Sequence, residues 1–269
     1  RRAVAPITSL QNPRVKALVR LRERRERDST RKFLIEGYRE ISRALEGSIE
    51  VETLFTCPAL YLGSNEPALV ASAESLGAEV MELGEAAFRK VSYRDRPEGL
   101  VAEARQFPTG LDRLQVTEGS LWLAVEGIEK PGNLGTMLRT ADAAGAAGVI
   151  VCDPTTDPFN PNVVRASIGC LFSVPLAVAS TPDVIGWFDK HDVLTVATTP
   201  DTSKRLWDTD LTGTVALAIG SEQYGLSDRW LGAADVKARI PMRGSADSLN
   251  AAMAAGIVMF EAVRQRSTG

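Results

Sequence analysis

The chain has 269 residues, 44% hydrophobic, 24% charged and 6% aromatic, with a formal net charge of −3, and so carries enough apolar material for one large domain or two ordinary ones. A single histidine, His191 beside Asp192 in a polar bend, and three scattered cysteines, Cys57, Cys152 and Cys170, argue against a zinc centre and against Ser-His chemistry. The odd cysteine count suits a reducing cytosol, no apolar run reaches the roughly 18 residues of a membrane span, and Arg1 to Val4 lacks the apolar core of a signal peptide, so a cytoplasmic protein is expected.

The net charge divides unevenly. From Arg1 to Arg43 there are 13 Lys and Arg against five acidic residues, a local +8 that leaves −11 for the rest. Such asymmetry suggests a basic arm that meets a polyanion and an acidic body that does not. Residues Val15 to Arg27 read as one helix, with Val15, Leu18, Val19 and Leu21 on one side and an arginine face, including Arg20, Arg22, Arg24 and Arg25, on the other. An ordinary solvated helix with pairs such as Glu23 with Arg27 fits the same charges. A membrane-surface helix fits less well, because the apolar stripe is short and has no Trp or Phe anchor.

A strand follows at Lys32–Glu36, then a helix from Tyr38 to Leu45, a strand at Val51–Thr56, a helix from Pro67 to Gly77 and a strand at Glu79–Leu83. Gln106 to Gly119 fades into a linker with Pro108 and Gly110. Beyond it, short apolar strands at Leu121–Val125, Gly148–Cys152, Val193–Thr198, Val215–Ile219 and Val236–Ile240 alternate with helices at Gly132–Ala144, Pro161–Ile168, Ser227–Leu231 and Leu249–Arg266. That alternation predicts an α/β domain with a parallel sheet covered on both faces, whose ligands bind in loops at the carboxyl ends of strands.

Three such loops carry candidate chemistry. EGIEKPGNLGTMLRT, residues 126 to 140, opens a helix at Gly132, Asn133 and Gly135 and places Arg139 somewhat under two turns after Asn133, an arrangement suited to an anion. It matches neither the dinucleotide nor the ATPase glycine pattern. In AIGSEQYGLS, Gly220 and Gly225 bracket Glu222 in a tight loop open to close backbone approach, and Ser221 is no nucleophile elbow. IPMRGSADSLN bends at Pro241 and Gly244 and offers Ser248 and Asn250 at a helix start, where simple strand-to-helix capping is the better account of the segment taken alone. Asp153 and Asp157 resemble a metal pair but lie among turn-forming prolines, so no metal is expected. Arg165, at a helix end in RASIG, suits either a phosphate or an ordinary ion pair.

Together and in this order, the three loops resemble the three motifs of the SpoU (TrmH) family of RNA ribose 2′-O-methyltransferases, of the SPOUT class. ITSLQNPRVKALVRL and FLIEG resemble the small L30e-like RNA-binding domain that many members carry. The resemblance implies an L30e-like α/β unit at 1–106, a linker at 107–119 and, at 120–269, a parallel-sheet catalytic domain with a deep trefoil knot. It implies S-adenosylmethionine as cofactor, touched by Thr198, Gly220, Ile240, Met242 and Leu249. Arg139 matches the arginine that activates the ribose hydroxyl; as guanidinium is a poor base, phosphate holding is the favoured role. Asn133, Glu222, Ser248 and Asn250 match the polar groups around it. Arg20, Arg22, Arg24, Arg25 and Arg165 are the expected RNA contacts, the partner is large-subunit rRNA, and a homodimer through the knotted domain is expected. A tRNA methyltransferase and a non-methylating RNA-binding assembly factor are the competing functions.

Overall fold

A computed structural model describes residues 5–267, so the stretch Arg1 to Val4 lies outside the described residues. The chain divides into two compact units. The first runs to Phe107 and includes Pro158–Phe172, and the second comprises Pro108–Asp157 and the chain from Ser173 onward.

In the first unit the elements are α1 (Pro13–Arg20), α2 (Arg24–Thr30), β1 (Lys32–Glu36), α3 (Tyr38–Glu46), β2 (Val51–Thr56), α4 (Glu66–Ser75), β3 (Glu79–Glu82), α5 (Glu85–Val91) and β4 (Leu100–Arg105). The sheet order is β1-β4-β2-β3, with β4 antiparallel to both neighbours and β3 parallel to β2. Val15, Leu18 and Leu21 pack with Leu34, Phe55, Phe88 and Val101 to form a core. The single helix expected over Val15 to Arg27 is two helices, broken at Leu21 to Glu23. The break has a polar cause. The buried Arg27 guanidinium turns back to donate to the carbonyls of Leu21 at 3.0 Å and Arg22 at 2.7 Å.

The second unit begins with β5 (Leu121–Glu126), α6 (Pro131–Ala143) and β6 (Gly148–Cys152). The chain then contributes α7 (Pro161–Ala166) to the first unit, although its place in the sequence lies inside the second. There the Phe159 ring sits 5.0 Å from that of Phe33, and Arg43 donates to the Ile168 carbonyl at 2.7 Å. The second unit resumes with β7 (Leu176–Ala179), α8 (Thr181–Lys190), β8 (Leu194–Thr198), β9 (Val215–Ile219), α9 (Asp228–Ala233), β10 (Val236–Ala238) and α10 (Ala251–Ser267).

These six strands form an all-parallel sheet in the order β10-β8-β9-β5-β6-β7. Successive side chains of a strand point to opposite faces. Trp122, Ala124, Ile150, Ala177, Ala197, Ala216 and Ala218 accordingly share one face with Val184 and Phe188 of α8 and Trp230 of α9. On the other, α10 packs along α6 and against β5 and β9. This two-sided burial explains why the strands read as continuous apolar runs. Among the described residues no helix is long and apolar enough to cross a membrane.

Candidate active site

The site is assembled from loops at the carboxyl ends of β5, β8, β9 and β10, the position where parallel sheets take their ligands. After β9 the chain turns through Ser221 to Gly225, whose backbones exchange hydrogen bonds of 3.2 and 2.9 Å. The turn is too tight for any side chain at its start. A Cβ on Gly220 would lie 2.0 Å from the Gly225 carbonyl carbon, and Gly225 itself has φ +66°.

This loop presents Glu222. Its Oε1 accepts from Asn133 Nδ2 at 2.6 Å, from Asn250 Nδ2 at 2.7 Å and from the Ala251 N–H at 3.3 Å. Its Oε2 lies 3.3 Å from Lys130 Nζ. Asn250 Nδ2 also donates to Asn133 Oδ1 at 3.2 Å. Three segments far apart in sequence thus converge on one carboxylate. Desolvation opposes ionisation of Glu222, but the Ala251 N–H, Lys130 and Asn133 outweigh it and hold the carboxyl below the ordinary range. Asn250 is also the cap of α10, its Oδ1 accepting from the Ala252 and Met253 N–H groups at 2.9 and 3.2 Å. Capping and site-building, separate readings of the same residue in the sequence, are both satisfied by the two ends of one amide.

Beside this cluster lies a cavity of about 540 Å³, with Ile219, Leu226, Leu231 and Ala254 among its apolar walls. Thr198, Gly220, Ile240, Met242 and Leu249 all line it, as do Glu222 and Ser248. The Thr198 hydroxyl is buried and has no hydrogen-bond partner among the described residues. A second cavity, about 200 Å³, shares Ser221, Glu222, Gln223 and Ala251 with the first and adds Lys130 and Asn133.

Not every predicted residue joins this assembly. Ser248 donates only a long 3.4 Å hydrogen bond to Asp247. Arg139 is exposed on α6, about 9 Å along the helix axis from Asn133, and has no hydrogen-bond or ion-pair partner among the described residues. Asp153 is occupied in accepting from the Thr181 N–H at 3.0 Å, and among the described residues no His, Cys, Asp and Glu are grouped to hold a metal. His191 caps the end of α8 and packs against Trp187 with ring centroids 4.6 Å apart and the rings tilted by 41°. All three cysteines are buried and, among the described residues, none is in a disulfide; burial pushes the Cys152 thiol well above its ordinary range.

Sequence reasoning missed Glu126, the last residue of β5. Its buried carboxylate accepts from Thr181 Oγ1 at 2.7 Å, Ser227 Oγ at 2.9 Å and the Ser227 N–H at 2.7 Å, tying the starts of α8 and α9 to the central strand. The available signal was an acid closing the apolar run LWLAV, which must find donors if the strand is buried.

The predicted RNA-facing arginines separate likewise. Arg20 and Arg24 are exposed and lie 3.4 Å from Glu26 and 3.6 Å from Asp28, while Arg25 and Arg165 are exposed and unpartnered among the described residues. Arg22 points the other way. It donates to the carbonyls of Lys90, Val91 and Ser92 at 2.8, 2.8 and 2.7 Å, neutralising the carboxyl end of α5. Arg22 is therefore committed inside the first unit and is withdrawn from the RNA face.

Residues 120–260 match the model of the SpoU rRNA methylase family. The chain belongs to that family. Residues 12–102 match the MRM3-like substrate binding domain. Among SpoU relatives, a 23S rRNA (uridine(2479)-2′-O)-methyltransferase of Streptomyces viridochromogenes is 36% identical over 268 residues, covering 93% of this chain and 88% of its own. The crystal structure of an AdoMet-bound rRNA methyltransferase from Sinorhizobium meliloti is 38% identical, with a TM-score of 0.89 over 97% of each chain. The SpoU methyltransferase AviRb from S. viridochromogenes, in complex with AdoMet, is 34% identical, with a TM-score of 0.86 over 96% of this chain and all of its own.

Proposed function

We propose that this protein transfers a methyl group from S-adenosylmethionine to a ribose 2′-hydroxyl of large-subunit ribosomal RNA. The convergence of Asn133, Glu222 and Asn250 at the edge of the 540 Å³ cavity carries the proposal. The named activities and bound cofactor of the relatives support it.

The cavity fits an amphipathic nucleoside cofactor. Ile219, Leu226 and Ile240 supply apolar wall, Gly220 leaves the backbone bare, and Thr198 holds an unused buried hydroxyl. Thr198, Gly220, Ile240, Met242 and Leu249 would hold S-adenosylmethionine, mostly through backbone groups. Bound there, it supplies an electrophilic methyl on its sulfonium. The protein's part is to align the ribose oxygen in line with that methyl and to ease the loss of a weakly acidic proton. Asn133 and Asn250, fixed by Glu222, orient the ribose, and Ser248, which lines the cavity, would turn its hydroxyl to the same ribose when RNA is bound. The free guanidinium of Arg139 grips the neighbouring phosphate and lowers the hydroxyl pKa, a role that suits a cation better than that of base.

In this reading residues 1–106 form the L30e-like RNA-binding domain and 107–119 the linker. Residues 120–269 form the catalytic domain, apart from Pro158–Phe172, which pack with the first unit, and its cofactor loops are drawn into a deep trefoil knot. Arg20, Arg24, Arg25 and Arg165 hold folded RNA through its phosphates. Two copies pair through the knotted domain, a reading supported by the exposed Met253 and Phe260 of α10, which a partner would cover. The place of action is the cytoplasm, where rRNA is available.

Incubation of the protein with methyl-labelled S-adenosylmethionine and, separately, total rRNA and total tRNA tests this. Label in rRNA is expected. Label confined to tRNA would reassign the substrate, and label in neither would leave an RNA-binding assembly factor.

A further inference from the structure

The loop that carries Glu222 also carries Tyr224, and the two differ in what occupies them. Glu222 is fully engaged. Tyr224 is 77% exposed, the most exposed of the large hydrophobic side chains among the described residues, and its ring makes no aromatic pair there. An aromatic ring left so open contributes little to the fold through burial.

Its placement is nevertheless fixed. The Tyr224 N–H donates to Ser221 Oγ at 3.1 Å, inside the turn closed by the paired backbones of Ser221 and Gly225. The ring therefore stands on a rigid tight turn, lines the mouth of the large cavity, and sits two residues from the carboxylate that organises the ribose-orienting asparagines. The apolar enclosure a cofactor needs comes from other residues, Ile219, Leu226, Leu231 and Ile240. A nucleotide presenting its ribose to Asn133 and Asn250 must be turned out of its stack, and it brings an unstacked base to the same rim.

We propose that Tyr224 is the stacking platform for the base of the target nucleotide, a positioning residue that replaces the stacking the base loses when it leaves the RNA helix. This rests on the methyltransfer reading above. An aromatic face accepts any base, so Tyr224 contributes affinity and alignment, while discrimination among bases falls to polar groups nearby.

The test measures methyl transfer to rRNA for Tyr224→Ala, Tyr224→Leu, Tyr224→Phe and Tyr224→Trp in the 269-residue chain. Each variant's S-adenosylmethionine affinity without RNA and its sedimentation are measured alongside. The Ala and Leu variants are expected to lose about 5- to 100-fold in kcat/KM for RNA, and the Phe and Trp variants to stay within about threefold of wild type. Cofactor affinity and oligomeric state should be unchanged in all four. Full activity in the Ala variant, or rescue by Leu, would overturn the assignment. So would a parallel loss of cofactor affinity, which would give the ring to the cofactor, or a changed oligomeric state, which would give it to a partner copy. If wild-type protein transfers no methyl to RNA, the methyltransfer reading itself fails, a result separable from all of these.

Discussion

In the first unit Glu36, Glu40 and Glu98 converge on Arg94 beneath the surface, whereas in the second Glu222 gathers Lys130, Asn133 and Asn250 at an open cavity. Both clusters pair carboxylate with cation, but their surroundings differ. Arg94 donates to Glu40 at 2.7 Å and to the Glu36 carbonyl at 2.7 Å, and the Glu36 carboxylate accepts from the Ser92 hydroxyl and from the Tyr93 N–H at 3.1 Å. Every partner comes from within the unit, and the network serves the fold. Around Glu222 the groups are exposed to water that competes for each hydrogen bond, yet they hold a fixed arrangement beside a large cavity, and the helix that carries Asn133 also carries Arg139, an arginine with no partner among the described residues. A polar cluster organised at the surface, with hydrogen-bonding capacity left over, awaits a ligand.

Arg139 is where this contrast is most exposed to failure. Arg139→Ala is expected to lower turnover about 10²- to 10³-fold, as removal of a single charge-stabilising donor does, while cofactor affinity stays near wild type. Rates and binding measured together check this, and wild-type turnover would remove Arg139 from the mechanism.

The buried network should answer oppositely. Arg94→Ala strands carboxylates inside the first unit and should cost about 3–5 kcal/mol of stability, read as a lowered urea midpoint, with the folded fraction of the variant still transferring methyl. Burial raises the Glu36 carboxyl above its ordinary range, outweighing the Ser92 and Tyr93 hydrogen bonds and the charge of Arg94. A raised acid favours the folded state fully below its unfolded pKa of about 4.5 and loses that contribution as pH rises through the folded value. Glu36→Gln should therefore flatten the fall in stability above pH 4.5, seen in denaturation midpoints taken across pH.

Glu222→Gln keeps the shape but loses the charge that holds Lys130 and reverses one hydrogen-bonding edge. A loss of about tenfold in kcat/KM is expected, with little change in melting temperature. A large drop in melting temperature with unchanged kinetics would make the two clusters alike after all. The smallest effect belongs to the surface arginines: Arg24→Ala with Arg25→Ala should reduce the salt dependence of RNA affinity by about one unit of log-log slope for each phosphate no longer held.

The sequence made the two clusters unequally visible. Glu222, Asn133 and Asn250 sit in glycine- and proline-marked loops after apolar strands, so their type and position could be read from turn chemistry and from resemblance to the family motifs. Strands such as Lys32–Glu36, Val51–Thr56, Gly148–Cys152 and Val215–Ile219 were legible as short apolar runs, whereas the four-residue β7, Leu176–Ala179, was not read. β4 was not, because Glu103 interrupts LVAEAR, and only the fold reveals that Lys32 reaches it at 3.0 Å. α8 was hidden by Pro182 and Gly186 in a ten-residue segment whose start depends on the Ser180 cap. The inward turn of Arg22 was illegible for a related reason. A periodic pattern shows which face is charged but not that a neighbouring helix end needs a cation. Burial separates a structural arginine from a functional one, and burial is a property of the fold.

If the Glu222 cluster and Arg139 direct a methyl group to a ribose oxygen, the product itself must show it. Digestion of 23S rRNA to nucleosides after reaction with wild-type protein or Arg139→Ala, with 2′-O-methylated nucleosides quantified by mass spectrometry, reads that product directly. One additional 2′-O-methylnucleoside per rRNA, formed by wild type and nearly absent with Arg139→Ala, is the expected result. Methyl groups found only on bases, or equal 2′-O-methylation by both proteins, would contradict it.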